Sequence, residues 1–342
     1  MTAHTLTERP ARSTLLDGLG RYVPIGATLA LLLVLYFTGV ANYPKFDQPQ
    51  VVAKLFIDNA PLLVIAVGMT FVILSGGIDL SVGSVMAFST MASAWLTVEA
   101  GIAAPLALVL VLAFGTAWGV LIGAVIHHFN VQPFIATLVG LFLFRGLTLQ
   151  ISETDVSMRD IEFFGWGMTH VEFFGKVRDG GFWLPYLSFG AFAVVIVAFV
   201  VLHYTRFGRS VYAVGGSEQS ALLMGLPVAR TKIGVYAVSG FCAALAGVFA
   251  AFATKSANPL ANVGTELDAI AAVVIGGTLL TGGAGFVLGT VAGVMVWGVL
   301  NTLIAFQGNL SSWWARIAMG VLLLAFILLQ RVLARSGEKR RA

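Results

Sequence analysis

Residues 60–84 read APLLVIAVGMTFVILSGGIDLSVGS. No charge falls between Ala60 and Ile78, and then Asp79 stands inside a glycine- and serine-rich stretch. The apolar run is shorter than the roughly 20 residues a helix needs to cross a bilayer. A glycine-rich break behind a short apolar run points to a broken or re-entrant helix, whose freed backbone groups need protein or water partners. A carboxylate near membrane depth is expensive and normally has a partner or a task. Ser81 suits an N-cap, and Asp79 itself suits capping of the next helix. Two readings stay open for Asp79: a structural cap at the cytoplasmic boundary, or a substrate or gating role.

A second break, Gly276-Gly277-Thr278-Leu279-Leu280-Thr281-Gly282-Gly283, also follows a short apolar run. The shared Gly-Gly hints at an internal repeat without fixing a topology. Glu266 and Asp268 stand where that run begins. They suit a helix start, where negative charge is favoured, and equally an outer mouth that meets a polar substrate.

Composition widens the reading to the whole chain. Of 342 residues, 58% are hydrophobic and 11% charged, with a mean hydropathy of +0.92. Soluble domains carry about 25% charged residues. The surplus apolar surface therefore faces lipid. The net charge of +4 sits at segment ends and tails, which signals topology rather than nucleic acid. The single cysteine, Cys242, lies in an apolar stretch and reads as a packed core thiol.

The ruler of about 20 residues marks ten candidate spans: Val23–Ala41, Ala60–Leu74, Leu80–Val98, Ala103–Ile126, Pro133–Ile151, Phe182–His203, Ile233–Ala253, Leu267–Thr281, Phe286–Phe306 and Trp313–Val332. The expected fold is an all-α membrane protein of about ten transmembrane helices, with short or broken ones at the second and eighth places. Residues 1–22 and 333–342 are tails around a permeating domain of 23–332. With ten spans, Arg9, Arg12, Arg21, Arg206, Arg209, Arg230, Lys232, Arg331, Arg335, Lys339, Arg340 and Arg341 share one side. The opposite loop, 152–181, carries Glu153, Asp155, Asp160, Glu162, Glu172 and Asp179 against Arg159, Lys176 and Arg178. The positive-inside rule then places both termini in the cytoplasm. The first span, preceded by a polar tail, reads as a signal anchor.

Gly115, Gly119 and Gly123 recur every four residues, as do Gly285, Gly289 and Gly293. That spacing lets helices approach closely in lipid. Trp313-Trp314, followed by Arg316, suits an interfacial anchor. His127 and His128 read as part of a short solvated turn. No G-x-x-x-x-G-K-[ST] phosphate loop occurs: the one Gly-Lys pair, Gly175-Lys176, precedes Val177. The chain is therefore not expected to hydrolyse ATP or to act as an enzyme. No H-E-x-x-H or C-x-x-C metal pattern is present either.

The loop 205–232 is the most informative polar segment. Ser217 suits an N-cap with Glu218 in the first turn. Leu222, Leu223 and Leu226 are expected to share an apolar face, and Gly225 and Pro227 to stop the helix. A short helix with an exposed apolar face wants a protein partner, unless it packs on its own bundle.

Three segments resemble the permease subunits of bacterial ribose-type sugar ABC importers: Gly68 to Ser84, Arg206 to Pro227, and Glu266 to Gly277. Within that family the nearest likeness is to galactofuranose importer permeases, through Ala221-Leu222-Leu223-Met224-Gly225, Leu310-Ser311-Ser312-Trp313-Trp314 and Glu266 to Asp268. The resemblance implies a bacterial inner-membrane protein and a second permease chain, identical or homologous. It also implies a separate ABC ATPase holding ATP and Mg, and a periplasmic sugar-binding protein. It assigns the ATPase-coupling helix to Ser217–Leu226, with Arg209, Ser217, Glu218, Ala221, Leu222, Gly225 and Leu226 as its site residues. Asn59, Asp79, Ser81, Glu266, Asp268 and Trp313 are the candidate substrate-pathway residues. The chain departs from the E-A-A-x-x-x-G loop of many importer permeases: Glu218 and Gly225 lie seven positions apart, without the alanine pair. Ribose or another monosaccharide is the alternative cargo, and a secondary transporter is the rival class.

Overall fold

A computed structural model describes residues 23–175, 180–311 and 313–339. The tail arginines Arg9, Arg12, Arg21, Arg340 and Arg341, and Lys176, Arg178 and Asp179 of the long loop, lie outside these. Charge-free apolar runs become helices because only a helix satisfies its backbone without water. Five come first: α1 (Val23–Asn42), α2 (Pro49–Asp58), α3 (Ala60–Leu74), α4 (Val82–Val98) and α5 (Ala104–His128). Next come α6 (Pro133–Ile151), β1 (Val156–Ser157), α7 (Glu162–Trp166), β2 (His170–Phe173), β3 (Phe182–Pro185) and α8 (Tyr186–Tyr204). The rest is α9 (Arg206–Gly216), α10 (Glu218–Leu223), α11 (Val228–Thr254), β4 (Ser256–Ala257), α12 (Thr265–Ile275), α13 (Val287–Gln307) and α14 (Trp313–Lys339).

Every one of the ten expected spans holds a helix, but their lengths differ from expectation. Among the described residues, seven helices are long and apolar enough to cross a membrane. An eighth appears if α2 and α3, bent by 54° at Asn59, form one span. α4 has 17 residues and α12 only 11. The sixth expected span begins in a strand: Phe182–Pro185 is β3, and Pro185 precedes the first turn of α8. α11 starts five residues earlier than hydropathy suggests, because its first turns are polar. His127 and His128 do not form a turn; they close α5. α14 continues past Val332 to Lys339.

The two short helices that precede the glycine-rich breaks lie inside, alongside the long α11 and α13. Every residue of α3 except Pro61 is buried, and α12 is buried along most of its length. The long helices α1, α5, α6, α8 and α14 instead expose Leu33, Val109, Phe142, Ile196 and Val321. Apolar surface of this extent suits a bilayer and not water, and the chain is a multi-pass membrane protein.

Glycine seams bring the helices together. A Cβ on Gly119 of α5 would lie 2.1 Å from the Tyr236 carbonyl oxygen of α11, and one on Gly115 would lie 2.4 Å from the Ala244 Cβ. In return, a Cβ on Gly240 would lie 2.2 Å from the Gly115 oxygen. On α13, a Cβ at Gly289 would meet the Gly276 oxygen at 2.0 Å, and one at Gly293 the Ala272 oxygen at 1.9 Å. The first series and the Gly289–Gly293 part of the second thus meet backbone across the seam, whereas Gly285 lies against the Thr278 side chain. Cys242 is buried beside Gly68.

One face carries small β pairs. β1 pairs antiparallel with β4, and β2 with β3, with Phe173 opposite Phe182. The Gln50 Oε1 of α2 accepts the Trp183 N–H at 2.9 Å, tying the hairpin to the bent pair.

Gly119→Leu should lower stability by about 3 kcal/mol or prevent folding, since the new side chain meets backbone. Gly146→Leu, where a Cβ meets nothing within 4 Å, should leave stability unchanged or raise it. Thermal unfolding in detergent reads both.

Candidate functional site

The two breaks end their helices in the same way. At the end of α3, Gly76 takes φ +85°, its N–H bonds the Ile73 oxygen at 2.9 Å, and the Gly77 N–H bonds the Val72 oxygen at 3.0 Å. At the end of α12, Gly277 takes φ +92°, its N–H bonds the Val274 oxygen at 2.9 Å, and the Thr278 N–H bonds the Val273 oxygen at 3.2 Å. Both are Schellman ends, with glycine where the left-handed residue must stand. The Gly-Gly pairs are offset by one: Gly76 corresponds to Gly277, not Gly276.

The breaks also meet. The Gly283 N–H donates to the Leu74 oxygen at 2.9 Å, satisfying a carbonyl that the end of α3 leaves open. Gly215 of α9 lies against this bond. A Cβ there would be 1.8 Å from the Leu74 oxygen and 2.7 Å from the Gly283 nitrogen. The segment 205–232 therefore touches both breaks at a single backbone junction.

Asp79 is buried. Its Oδ2 accepts the Ser239 hydroxyl at 2.7 Å, and Ser239 stands well inside the 27-residue α11. Its Oδ1 accepts the Ser81 N–H at 2.9 Å and the Ser81 hydroxyl at 2.6 Å. Ser81 occupies the N-cap position of α4 but has helical backbone angles and makes no capping bond with its side chain; its hydroxyl donates to Asp79. The Trp118 indole N–H reaches the Ser81 oxygen at 3.4 Å. Tyr236 stands one helical turn before Ser239, with its hydroxyl beside Gly77. Asp79 thus ties the first break to α11.

Glu266 and Asp268 sit in the first turn of α12, where Gly264 is the N-cap and no side chain caps the helix. Glu266 is buried, and among the described residues its Oε2 has no hydrogen-bond partner; a Cβ on Gly83 would lie 2.1 Å from that oxygen. The preceding loop is held by two arginines. Arg145 of α6 donates to the oxygens of Ala261 at 2.7 Å and Asn262 at 2.6 Å, and Arg316 of α14 donates to the Val263 oxygen at 3.0 Å. The Arg316 guanidinium lies 5.0 Å above the Trp313 ring. Asp79, Ser81 and Glu266 therefore gather around the start of α4. Asp268 and Trp313 lie toward Arg316. Asn59 stands apart at the α2–α3 bend, bonding the Leu55 oxygen at 2.8 Å and packing on Gly298.

In the polar segment, Ser217 caps α10 as expected, accepting the Ser220 N–H at 3.2 Å. Glu218 pairs with Lys232 at 2.6 Å. The helix is shorter than Ser217–Leu226, ending at Leu223, and Gly225 at φ +74° turns the chain back. That turn changes the expected apolar face. Leu222 (64% exposed), Leu223 (84%) and Met224 (67%) point outward, while Ala221 and Leu226 pack inward on Val214 and Val228. Arg209 is exposed.

Sequence reading passed over Ser239, Gly215 and Arg145. Only Arg145 carried a signal, a charge inside an apolar span.

A family profile described as "Branched-chain amino acid transport system / permease component" matches residues 51–327. The chain is 42% identical to the inner membrane ABC transporter permease protein YjfF of Escherichia coli K12, over 94% of this chain and 96% of that one. It is 40% identical to the fructose import permease protein FruG of Bifidobacterium longum, over 93% and 94%. It is 37% identical to the ribose import permease protein RbsC of Bacillus subtilis, over 90% and 92%. No solved structure matches the chain.

Asp79→Ala leaves three buried donors without their acceptor and should cost about 3 kcal/mol. Ser239→Ala should cost about 1 kcal/mol. The double variant should fall short of the sum by about 1 kcal/mol, measured by thermal or denaturant unfolding in detergent.

Proposed function

The chain belongs to the branched-chain amino acid transport system / permease component family and is a permease of the ABC sugar-importer type; from that premise we propose that it carries galactofuranose across the bacterial inner membrane by alternating access. A separate ATPase binds ATP and Mg and does the hydrolysis. A second permease chain completes the pathway, and a periplasmic binding protein delivers the sugar. Both termini and the segment 205–232 face the cytoplasm.

One observation carries the coupled mechanism. Leu222, Leu223 and Met224 form an exposed apolar tip, and the same segment reaches the Leu74–Gly283 junction through Gly215. Apolar side chains outside the bilayer, on a segment flanked by Arg209 and Arg230, fit a protein groove rather than water. Movement of that tip is delivered to both helix breaks at once. The absence of a phosphate-loop sequence supports placing hydrolysis in the partner.

The favoured sugar rests on the residues that resemble galactofuranose permeases, Ala221 to Gly225, Leu310 to Trp314 and Glu266 to Asp268. Ribose or fructose is the second reading, favoured by what the names of the relatives say they import. With Glu266 turned onto Gly83, Asp268 is the better-placed carboxylate for a sugar hydroxyl.

Proteoliposomes holding this chain and its copurified ATPase should take up labelled galactose, which includes a furanose form, only with ATP and the binding protein. Stronger competition by ribose would reassign the sugar. Uptake without ATP would overturn the coupled mechanism in favour of a secondary transporter. Leu223→Glu should cut ATP-driven uptake at least tenfold with little loss of stability. Glu218→Ala should change stability by about 1 kcal/mol, since Glu218 is exposed although its partner Lys232 is half-buried, yet uncouple ATP hydrolysis from uptake.

A further inference from the structure

A cavity of about 550 Å³ opens between α4, α5 and α6. Phe88 and Phe114 form its floor, and Trp95, Leu110, Gln150 and Ile151 stand around its upper part. Phe88 and Trp95 are seven residues apart on α4, about 10 Å along the helix axis. Gln150 is the one polar side chain in the lining, and it stands at the end of α6 where the chain leaves for the loop 152–185. The floor is firm: Phe88, Phe114 and Phe144 pack with ring centroids 5.1 to 5.7 Å apart.

Apolar walls give water no partners, so water does not fill such a space. The cavity is continuous with surface already turned to lipid, since Trp95, Leu110 and Phe114 are exposed, as are Val109 on α5 and Leu147 on α6. A flexible hydrocarbon chain is much thinner than a helix with its side chains, which is about 10–12 Å across, and fits between the three helices that line the crevice. Trp95 and Gln150 at the rim suit the level at which a headgroup begins, since tryptophan favours that interface. The geometry points to a phospholipid-binding crevice that holds one acyl chain against Phe88 and Phe114, with the headgroup beside Gln150 on the face that carries the loop 152–185.

Phosphatidylcholine with a diazirine near the end of one acyl chain tests this on the full-length protein in nanodiscs, with cross-links mapped by mass spectrometry. Cross-links should be severalfold denser on Phe88, Ala92 and Phe114 than on the lipid-facing residues of α1 and α14. Ala92→Trp, which fills the crevice, should remove them while leaving those on α1 and α14. Should Ala92→Trp fail to fold by thermal unfolding, Leu96→Trp serves instead. Even labelling of all lipid-facing helices would overturn the site. So would crevice labelling that survives the filling variant, or protein–protein cross-links between crevices of two copies.

Discussion

The Leu74 carbonyl is left open where α3 ends, deep in protein, and the Gly283 N–H of the other break takes it. An unsatisfied backbone group away from water costs several kcal/mol in a membrane setting. That demand accounts for much of the architecture. It puts α3 and α12 in the centre, beside the largely buried α11 and α13, with α1, α5, α6, α8 and α14 more exposed. It draws the two breaks to one place, and it leaves room for only hydrogen at Gly215. The Schellman ends handle the remaining carbonyls locally, which is why a left-handed glycine recurs at Gly76 and Gly277.

Asp79 answers the same demand by another route. A carboxylate carries several lone pairs, so it can take two donors from Ser81 and one from Ser239 at once. It thereby fixes the break to α11 without a counter-charge. Its partners are all small hydroxyls or backbone, so the cluster occupies little space between α4 and α11. Glu266, close by, is not satisfied in this way, and its free Oε2 faces Gly83. The contrast separates a carboxylate that closes a structural knot from one that has no hydrogen-bond partner for its Oε2 among the described residues.

Much of the fold was legible because lipid demands long charge-free runs, and every run found by hydropathy holds a helix. Boundaries were legible only where a cap marks them. Ser217 did so for the start of α10, whereas its end came at Leu223 and not at Leu226. The start of α11 was not legible, because its polar first turns look like loop. The strand at Phe182–Pro185 was hidden because an apolar strand and an apolar helix start read alike over four residues. Spacing alone put Leu226 with Leu222 and Leu223. One left-handed glycine separated them. Ser239 and Gly215 gave no warning, since a serine or glycine in an apolar helix is ordinary until its neighbour across the bundle is known.

The glycine seams have a mechanical consequence. Helices that touch through interleaved side chains can slide a little, because rotamers give way, and such shear is one way domains move. Where Gly115, Gly119 and Gly240 bring α5 and α11 together through main-chain atoms, there are no rotamers to yield. The same holds between α12 and α13 at Gly276, Gly289 and Gly293. Each pair is a stiff block, and any large displacement belongs to the seams between blocks, where side chains do the packing.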